Sequence, residues 1–150
     1  MKKIEIEVPE GKRAEWVNGV LTLVDEQPKN VMDRIKTFAD AYNALGKEHV
    51  LVKDFDNSIT VTHEHAAYLE LCIIVAALNE GWKPTFVEGE YRWYPWFNNN
   101  DGCVVYEDAF FDCSSANSFY GSWLSLKSKE LAVYAGKQFI NIYKVFLFGW

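Results

Sequence analysis

His63 and His65 are the first residues whose type and spacing suggest chemistry, because closely spaced histidines can begin a metal site. Residues two positions apart share one face of a strand but not of a helix, and the sequence predicts that a helix begins here. A zinc site needs three or four converging ligands, and His49 is the one further histidine in the chain. We therefore predict a polar first helical turn and no metal, with a small metal-dependent hydrolase that uses His63 and His65 as the rival hypothesis.

Asp54 and Asp56 form a second pair that could do chemistry, in the run DFDNS over residues 54–58. The spacing D-x-D-x-[ST] is similar to the nucleophile loop of haloacid-dehalogenase-type phosphatases. There the first aspartate attacks phosphorus and the second handles a proton, with Mg²⁺ between them. The context argues against this chemistry, since Lys53 stands where such a loop has an apolar residue. We predict a polar turn between two short elements, the first of them β-like, and the hydrolase that uses Asp54 and Asp56 remains a rival hypothesis.

The three cysteines carry no catalytic or metal-binding motif, because none belongs to a C-x-x-C pair. Cys72 lies in an apolar run and is predicted to be a buried small hydrophobic residue. Cys103 and Cys113 could form a disulfide in an oxidising compartment, and free thiols are the prediction otherwise. The sequence also has no G-x-S-x-G motif and no glycine-rich phosphate loop. We therefore predict no catalytic residue and no cofactor.

Aromatic residues are concentrated between Trp82 and Trp123, a stretch that holds 13 of the 24 in the chain. Its densest run is YRWYPWF over residues 91–97, which has strand character. Pro95 limits that strand to a sheet edge or to an early stop, because proline cannot donate a ladder hydrogen bond. Alternate residues of a strand point to opposite faces, so both faces of this strand are predicted to be aromatic.

The aromatic excess has three interpretations. Core packing is favoured, with one face on a central helix and the other covered by a C-terminal helix or loops. The second interpretation is an exposed surface for a macromolecular partner, since Trp and Tyr are frequent at interface hot spots. The third is a carbohydrate-binding module that stacks sugar rings on exposed Trp and Tyr. The candidate binding residues are Tyr91, Trp93, Tyr94, Trp96 and Trp123.

The charge distribution narrows the class of partner. The net charge is −6, and residues 86–126 contain six acidic residues against one basic residue, Arg92. Nucleic acids are bound by clustered Lys and Arg, so a nucleic-acid partner is disfavoured and a protein partner or self-association is predicted. The longest apolar run, residues 71–78, is too short to span a membrane. The N-terminal run MKKIEIEVPEG has no apolar stretch, so we predict no signal peptide and a cytoplasmic location.

Local signals predict one α+β domain over residues 1–150. Asn18-Gly19 between two β-prone runs predicts a hairpin, which the alternating residues 4–8 extend to a three-stranded meander. Helical periodicity then predicts either a helix over residues 31–45 or a shorter one that begins at Phe38 behind a capping box. The remaining predicted elements are a central apolar helix over 63–80, strands of an aromatic-rich antiparallel sheet at 91–97, 104–106 and 119–126, and a C-terminal amphipathic helix over 129–147.

Four stretches of the chain together resemble a known group of proteins: IEVPEGKRAEWVNGVLTLVDE, ALNEGWKP, YRWYPWF and SWLSLKSKELAVYAGKQFINIY. The chain resembles small proteins of phages and prophages of gut bacteria, which share the order hairpin, helix pair, aromatic strand and C-terminal helix with a YAGKQF-like core. The resemblance spans most of the chain. It implies a mobile-element origin and a location in the host cytoplasm or the virion, and it transfers no catalytic residue, because that group has no established function.

Overall fold

The computed structural model contains helices and two antiparallel two-stranded sheets. This architecture confirms the predicted α+β class. The structure describes residues 6–26, 30–58, 61–100, 102–113 and 122–149. The chain divides into two compact units, residues 1–30 and 31–150. None of the helices in the described ranges is long and apolar enough to cross a membrane.

The first unit contains the predicted hairpin. Strands β1 (Lys12–Val17) and β2 (Val20–Asp25) pair in antiparallel register. Asn18 and Gly19 connect them with φ of 51° and 81°, and a type I′ turn needs a positive φ at both positions. The third strand of the predicted meander is wrong for its described part, because residues 6–9 are not in a strand and the chain turns before β1. Residues 1–5 lie outside the described ranges.

The second unit begins with two short helices, α1 (Val31–Arg34) and α2 (Phe38–Leu45). The shorter of the two predicted helices is therefore confirmed, and a continuous helix over 31–45 is wrong. Thr37 has an extended backbone and accepts a hydrogen bond from the Asp40 N–H, while the Asp40 carboxylate accepts one from the Thr37 N–H. This capping box satisfies N–H groups at the start of α2 that would otherwise have no partner.

Helix α3 (Val50–Asn57) replaces the predicted β-like run and polar turn. His49 caps the helix by accepting the Leu51 N–H at its Nδ1 atom. Leu51 and Val52 are buried, while the charged positions along the helix face solvent.

Helix α4 (His63–Asn79) is the predicted central helix, capped by Thr62 and terminated by positive φ values at Glu80 and Gly81. Its second half is buried on all sides, from Leu71 to Leu78 with Ala76 half-buried. It packs against α2, α3, the 3₁₀ turn Ser122–Leu124 and the last helix. These contacts explain why the apolar residues of α4 are not confined to one stripe.

The second sheet consists of β3 (Arg92–Asn100) and β4 (Cys103–Asp112). β3 does not stop early at Pro95. Trp93 exchanges both backbone hydrogen bonds with Leu126, on the side away from β4, so the alternation of the strand points the Pro95 nitrogen to that same side. The ladder to β4 therefore loses no donor. Of the predicted strand 119–126, residues 122–124 form the 3₁₀ turn and Leu126 forms a single bridge, while 119–121 lie outside the described ranges.

Two C-terminal helices, α5 (Lys129–Gln138) and α6 (Ile140–Phe148), stand where one was predicted. The break lies at Phe139, which is buried and has φ −111° and ψ 24°. Both helices contribute to the core. The ring of Tyr143 lies 4.9 Å from that of Phe97 on β3, between centroids, and the ring of Phe146 lies 5.7 Å from that of Tyr68 on α4.

Candidate functional site

Three aromatic rings, those of Tyr91, Trp93 and Phe111, contact one another at the β3–β4 hairpin, and we call them the three-ring cluster. The Phe111 centroid lies 5.1 Å from each of the other two, and Tyr91 and Trp93 lie 6.3 Å apart. These separations are typical of favourable aromatic pairs. Trp93 packs against the core, whereas Tyr91 is 53% and Phe111 43% exposed. The cluster therefore exposes ring surface to solvent, while its Trp93 ring is held in place by contact with the core.

The register of the sheet fixes which face the cluster occupies. Trp93 and Phe111 are paired residues, so their side chains share a face, and Pro95 lies on it two residues further along. Helix α5 covers the face at Pro95. A Cβ atom added to Gly136 would lie 2.7 Å from the Pro95 Cβ and 2.5 Å from the Tyr106 ring. The Pro95 end of this face is therefore packed inside the protein against α5. The three-ring cluster lies at the other end of the same face.

Trp96 and Phe110 form a pair on the opposite face of the hairpin, with ring centroids 6.0 Å apart, and the Phe110 ring also lies 6.3 Å from that of Phe111. Phe110 is paired with Tyr94, and Trp96 is two residues from Tyr94, so alternation places all three on that face. Trp96 is 45% and Phe110 47% exposed. The hairpin therefore has exposed aromatic rings on both faces.

Tyr94 is buried, although it was one of the five predicted binding residues. It is 2% exposed, and its hydroxyl shares a 2.9 Å hydrogen bond with the buried Ser125 hydroxyl. A buried phenol needs such a partner, and here the partner is supplied by the core. Tyr94 therefore supports the fold and cannot contact a partner on the surface of the folded chain.

Trp123 is exposed, but it belongs to a different place. It lines a cleft together with Trp82, Lys83, Pro84 and residues at the end of α4. No described residue of β3 or β4 lines this cleft. The five predicted binding residues are thus divided among two faces of a hairpin, the core and a cleft. A binding role for Tyr91, Trp93, Trp96 and Trp123 remains a prediction.

Arg92, the first residue of β3, forms an ion pair with Asp112, the last residue of β4. Its side chain is fully buried, and its guanidinium lies 2.9 Å from Asp112 Oδ2 and 3.8 Å from Glu90 Oε2. The guanidinium also lies over the Phe86 ring, 4.6 Å from the centroid. Burial opposes the charge, but hydrogen bonding and attraction to Asp112 outweigh it and raise the pKa of Arg92. The one basic residue of this acidic region is therefore engaged inside the protein.

The residues of the hydrolase hypothesis occupy two helices. Asp54 and Asp56 lie on α3, where the Asp56 carboxylate accepts a 2.7 Å hydrogen bond from the Tyr42 hydroxyl, which raises the pKa of Tyr42. His63 and His65 are exposed in the first turn of α4, as predicted. Within the described ranges, no group of three or more His, Cys, Asp or Glu residues is arranged to hold a metal ion.

The cysteines are free thiols. Cys72 is buried as predicted, and burial raises the pKa of its thiol to about 11. Cys103 begins β4 and Cys113 follows its last residue. Ten strand residues span roughly 33 Å, far beyond the reach of a disulfide, so these two cysteines cannot pair with each other while the strand is formed.

Phe110, Phe111 and Trp82 line exposed aromatic features that the sequence prediction did not assign. The sequence predicted a strand over 104–106, which ends before Phe111. Phe111 therefore lay outside any predicted strand, and nothing in the sequence paired it with Trp93. The apolar run AFF after the acidic pair Glu107 and Asp108 was the available signal, but which residues it pairs with depends on the register of the strands. Trp82 follows Gly81 in a segment that local signals describe only as a helix end.

Comparisons of the chain with protein families, with curated proteins and with solved structures found no match.

Proposed function

We propose that this chain is a non-enzymatic binding protein that contacts a protein partner through the three-ring cluster. The observation that carries the proposal is the mutual contact of Tyr91, Trp93 and Phe111, with two of the rings about half exposed above a core-packed Trp. Rigid aromatic side chains lose little conformational entropy on binding, and such residues dominate interface hot spots. The resemblance to phage and prophage proteins supports a mobile-element origin.

Charge favours a particular kind of partner. The chain carries a net charge of −6, and Glu88, Glu107 and Asp108 are exposed on or beside the hairpin. Arg92 is buried and already paired, so it offers no basic contact at this surface. The partner that fits best is a protein with an apolar patch bordered by Lys or Arg. A second copy fits less well, because two acidic surfaces would repel each other.

The test is affinity capture from the native host with matched variants, followed by titration of the captured protein in purified form. Phe111→Ala and Tyr91→Ala remove exposed rings of the cluster and leave Trp93 in the core. Each is expected to weaken binding at least tenfold, because a hot-spot ring contributes about 2 kcal/mol or more. Binding is expected to weaken further with rising salt, as charge complementarity requires.

Phe110→Ala is the matched control. It makes the same change on the neighbouring residue, with similar exposure and on the opposite face; it removes a ring that lies 6.3 Å from Phe111 and leaves all three rings of the cluster in place. Retained binding by Phe110→Ala and lost binding by Phe111→Ala would support the proposal. The reverse result would move the site to the Trp96–Phe110 pair, and equal binding by all folded variants would reject an aromatic site on this hairpin.

A further inference from the structure

We propose that the cleft between Trp82 and Trp123 is a second binding site, which takes a small planar aromatic anion such as an aryl carboxylate. The site is independent of the three-ring cluster, since no described residue of that cluster lines the cleft. The inference rests on the walls of the cleft, on its polar groups and on its size.

The walls are flat and apolar. The side chains of Trp82, Trp123 and Pro84 line the cleft, and Leu45 and Ala76 contribute aliphatic surface. Trp123 is exposed and Trp82 half-buried, so indole surface remains open for contact with a ligand. Stacking on an aromatic side chain favours a planar ligand of any ring type. The walls alone therefore select for shape and not for charge.

The polar groups in the cleft select for charge. Lys83 is exposed, and no described residue forms an ion pair with it. His49 accepts the Leu51 N–H at Nδ1, which leaves Nε2–H of the neutral ring as a donor. The Asn79 amide is partly engaged, because its nitrogen donates one N–H to the Ser125 carbonyl and its oxygen accepts the Lys127 N–H. The groups left over are donors, and they match an anionic acceptor.

Nearby carboxylates do not compete for these donors. No carboxylate is among the described residues that line the cleft. Glu80 follows α4 nearby in sequence, and its carboxylate is paired with Arg34 and Lys127. The described lining of the cleft thus contains hydrogen-bond donors and no carboxylate, in a chain of net charge −6.

The volume limits the ligand to a small one. The cleft measures about 190 Å³. A single six-membered ring with a carboxylate fits this space, whereas a drug-sized ligand needs a pocket of roughly 300 Å³ or more. We expect weak affinity, in the millimolar range, as for other ligands of few atoms.

The experiment is a titration of the ¹⁵N-labelled full chain with benzoate, observed at the tryptophan indole N–H signals. Benzamide is the matched neutral ligand. Trp→Phe variants assign the signals of Trp82, Trp123 and Trp96. Benzoate is expected to shift the first two in a saturable way and to leave Trp96 unchanged. Benzamide is expected to bind about threefold more weakly, as the loss of one solvent-exposed charge contact implies.

Two lysine variants separate the charge contact from a change in folding. Lys83→Gln is expected to reduce benzoate affinity to that of benzamide and to leave benzamide affinity unchanged, while Lys129→Gln on α5 changes neither. Equal affinity for benzoate and benzamide in the wild-type chain would overturn the selection for anions. The absence of saturable shifts at Trp82 and Trp123 would overturn the site itself.

Discussion

Two ionisable side chains that are shielded from solvent, Arg92 and Glu70, differ in whether the fold supplies an opposite charge. Arg92 is fully buried but faces Asp112 and Glu90, so its charge is compensated within the fold. Glu70 on α4 lies in a cleft of about 320 Å³ beside His63 and Asn141, and no described residue forms a hydrogen bond or an ion pair with it. Burial without compensation raises the pKa of Glu70 above 4.5, the ordinary value for glutamate.

The raised pKa of Glu70 gives a prediction about stability and pH. Below its unfolded pKa the carboxyl group is neutral in both states and costs nothing. As the pH rises through that value and then the folded pKa, ionisation in the cleft makes the folded state less favourable. Glu70→Gln is therefore expected to raise the thermal midpoint by a few degrees at pH 7 and to leave it unchanged near pH 3. Thermal unfolding followed by circular dichroism at both pH values measures this.

Glu64 on the same helix is the control with the opposite sign. Hydrogen bonds from its own N–H and from Thr62 lower the pKa of Glu64. Its ionised form stabilises the folded state above the unfolded pKa, and this contribution is lost as the pH falls through the folded pKa. Glu64→Gln should therefore lower the midpoint at pH 7. If both variants shift the midpoint in the same direction at pH 7, burial is not what distinguishes Glu70.

At the scale of the element, the close contact between α5 and the second sheet depends on Gly136. A methyl group there would lie within 2.7 Å of Pro95 Cβ, and a proline in a paired strand cannot move aside easily. Gly136→Ala is expected to lower the free energy of unfolding by about 1–2 kcal/mol. Overpacking of about 1–3 kcal/mol exceeds the gain of up to about 1 kcal/mol in helix propensity. Urea denaturation measures the change.

Lys129→Ala provides the comparison for Gly136→Ala, because Lys129 is an exposed position at the start of the same helix. It should change the free energy of unfolding by about 0.5 kcal/mol or less, as is usual for surface positions. An increase in stability for Gly136→Ala would show that the helix and the sheet can separate slightly at no cost. The predicted dependence of the contact on glycine would then be wrong.

Elements with strong local signals were predicted well from the sequence, and those that depend on distant contacts were not. Asn18-Gly19 defined the first hairpin, and an unbroken apolar run defined α4, because turn chemistry and composition act locally. α3 was predicted as β-like because its stability comes from burial of Leu51 and Val52 against other elements. The candidate site followed the same rule: Trp93 was identified from its type, but its partner Phe111 required the register of two strands.

At the scale of the whole molecule, the buried core belongs to one of the two compact units. All the buried apolar side chains in the described ranges lie between Val31 and Tyr143. The hairpin of the first unit is a two-stranded sheet whose β1 residues are all exposed, and such a hairpin is at most marginally stable alone. That residues 1–150 form a single domain remains a prediction. Because the described core lies in the second unit, a more specific prediction can be tested, namely that this unit folds alone.

Residues 31–150 are expected to fold without residues 1–30, because they contain the whole described core. The truncated chain should keep a cooperative thermal transition within about 4 °C of the full-length midpoint, equivalent to roughly 1 kcal/mol for a chain of this size. Deletion of residues 140–150 is the matched control, and it should abolish the transition because it removes α6 and the buried Tyr143. A fall of about 10 °C or more on removal of residues 1–30 would contradict the expectation and would support one cooperative domain over the full chain, since the folding of residues 31–150 would then depend on the hairpin.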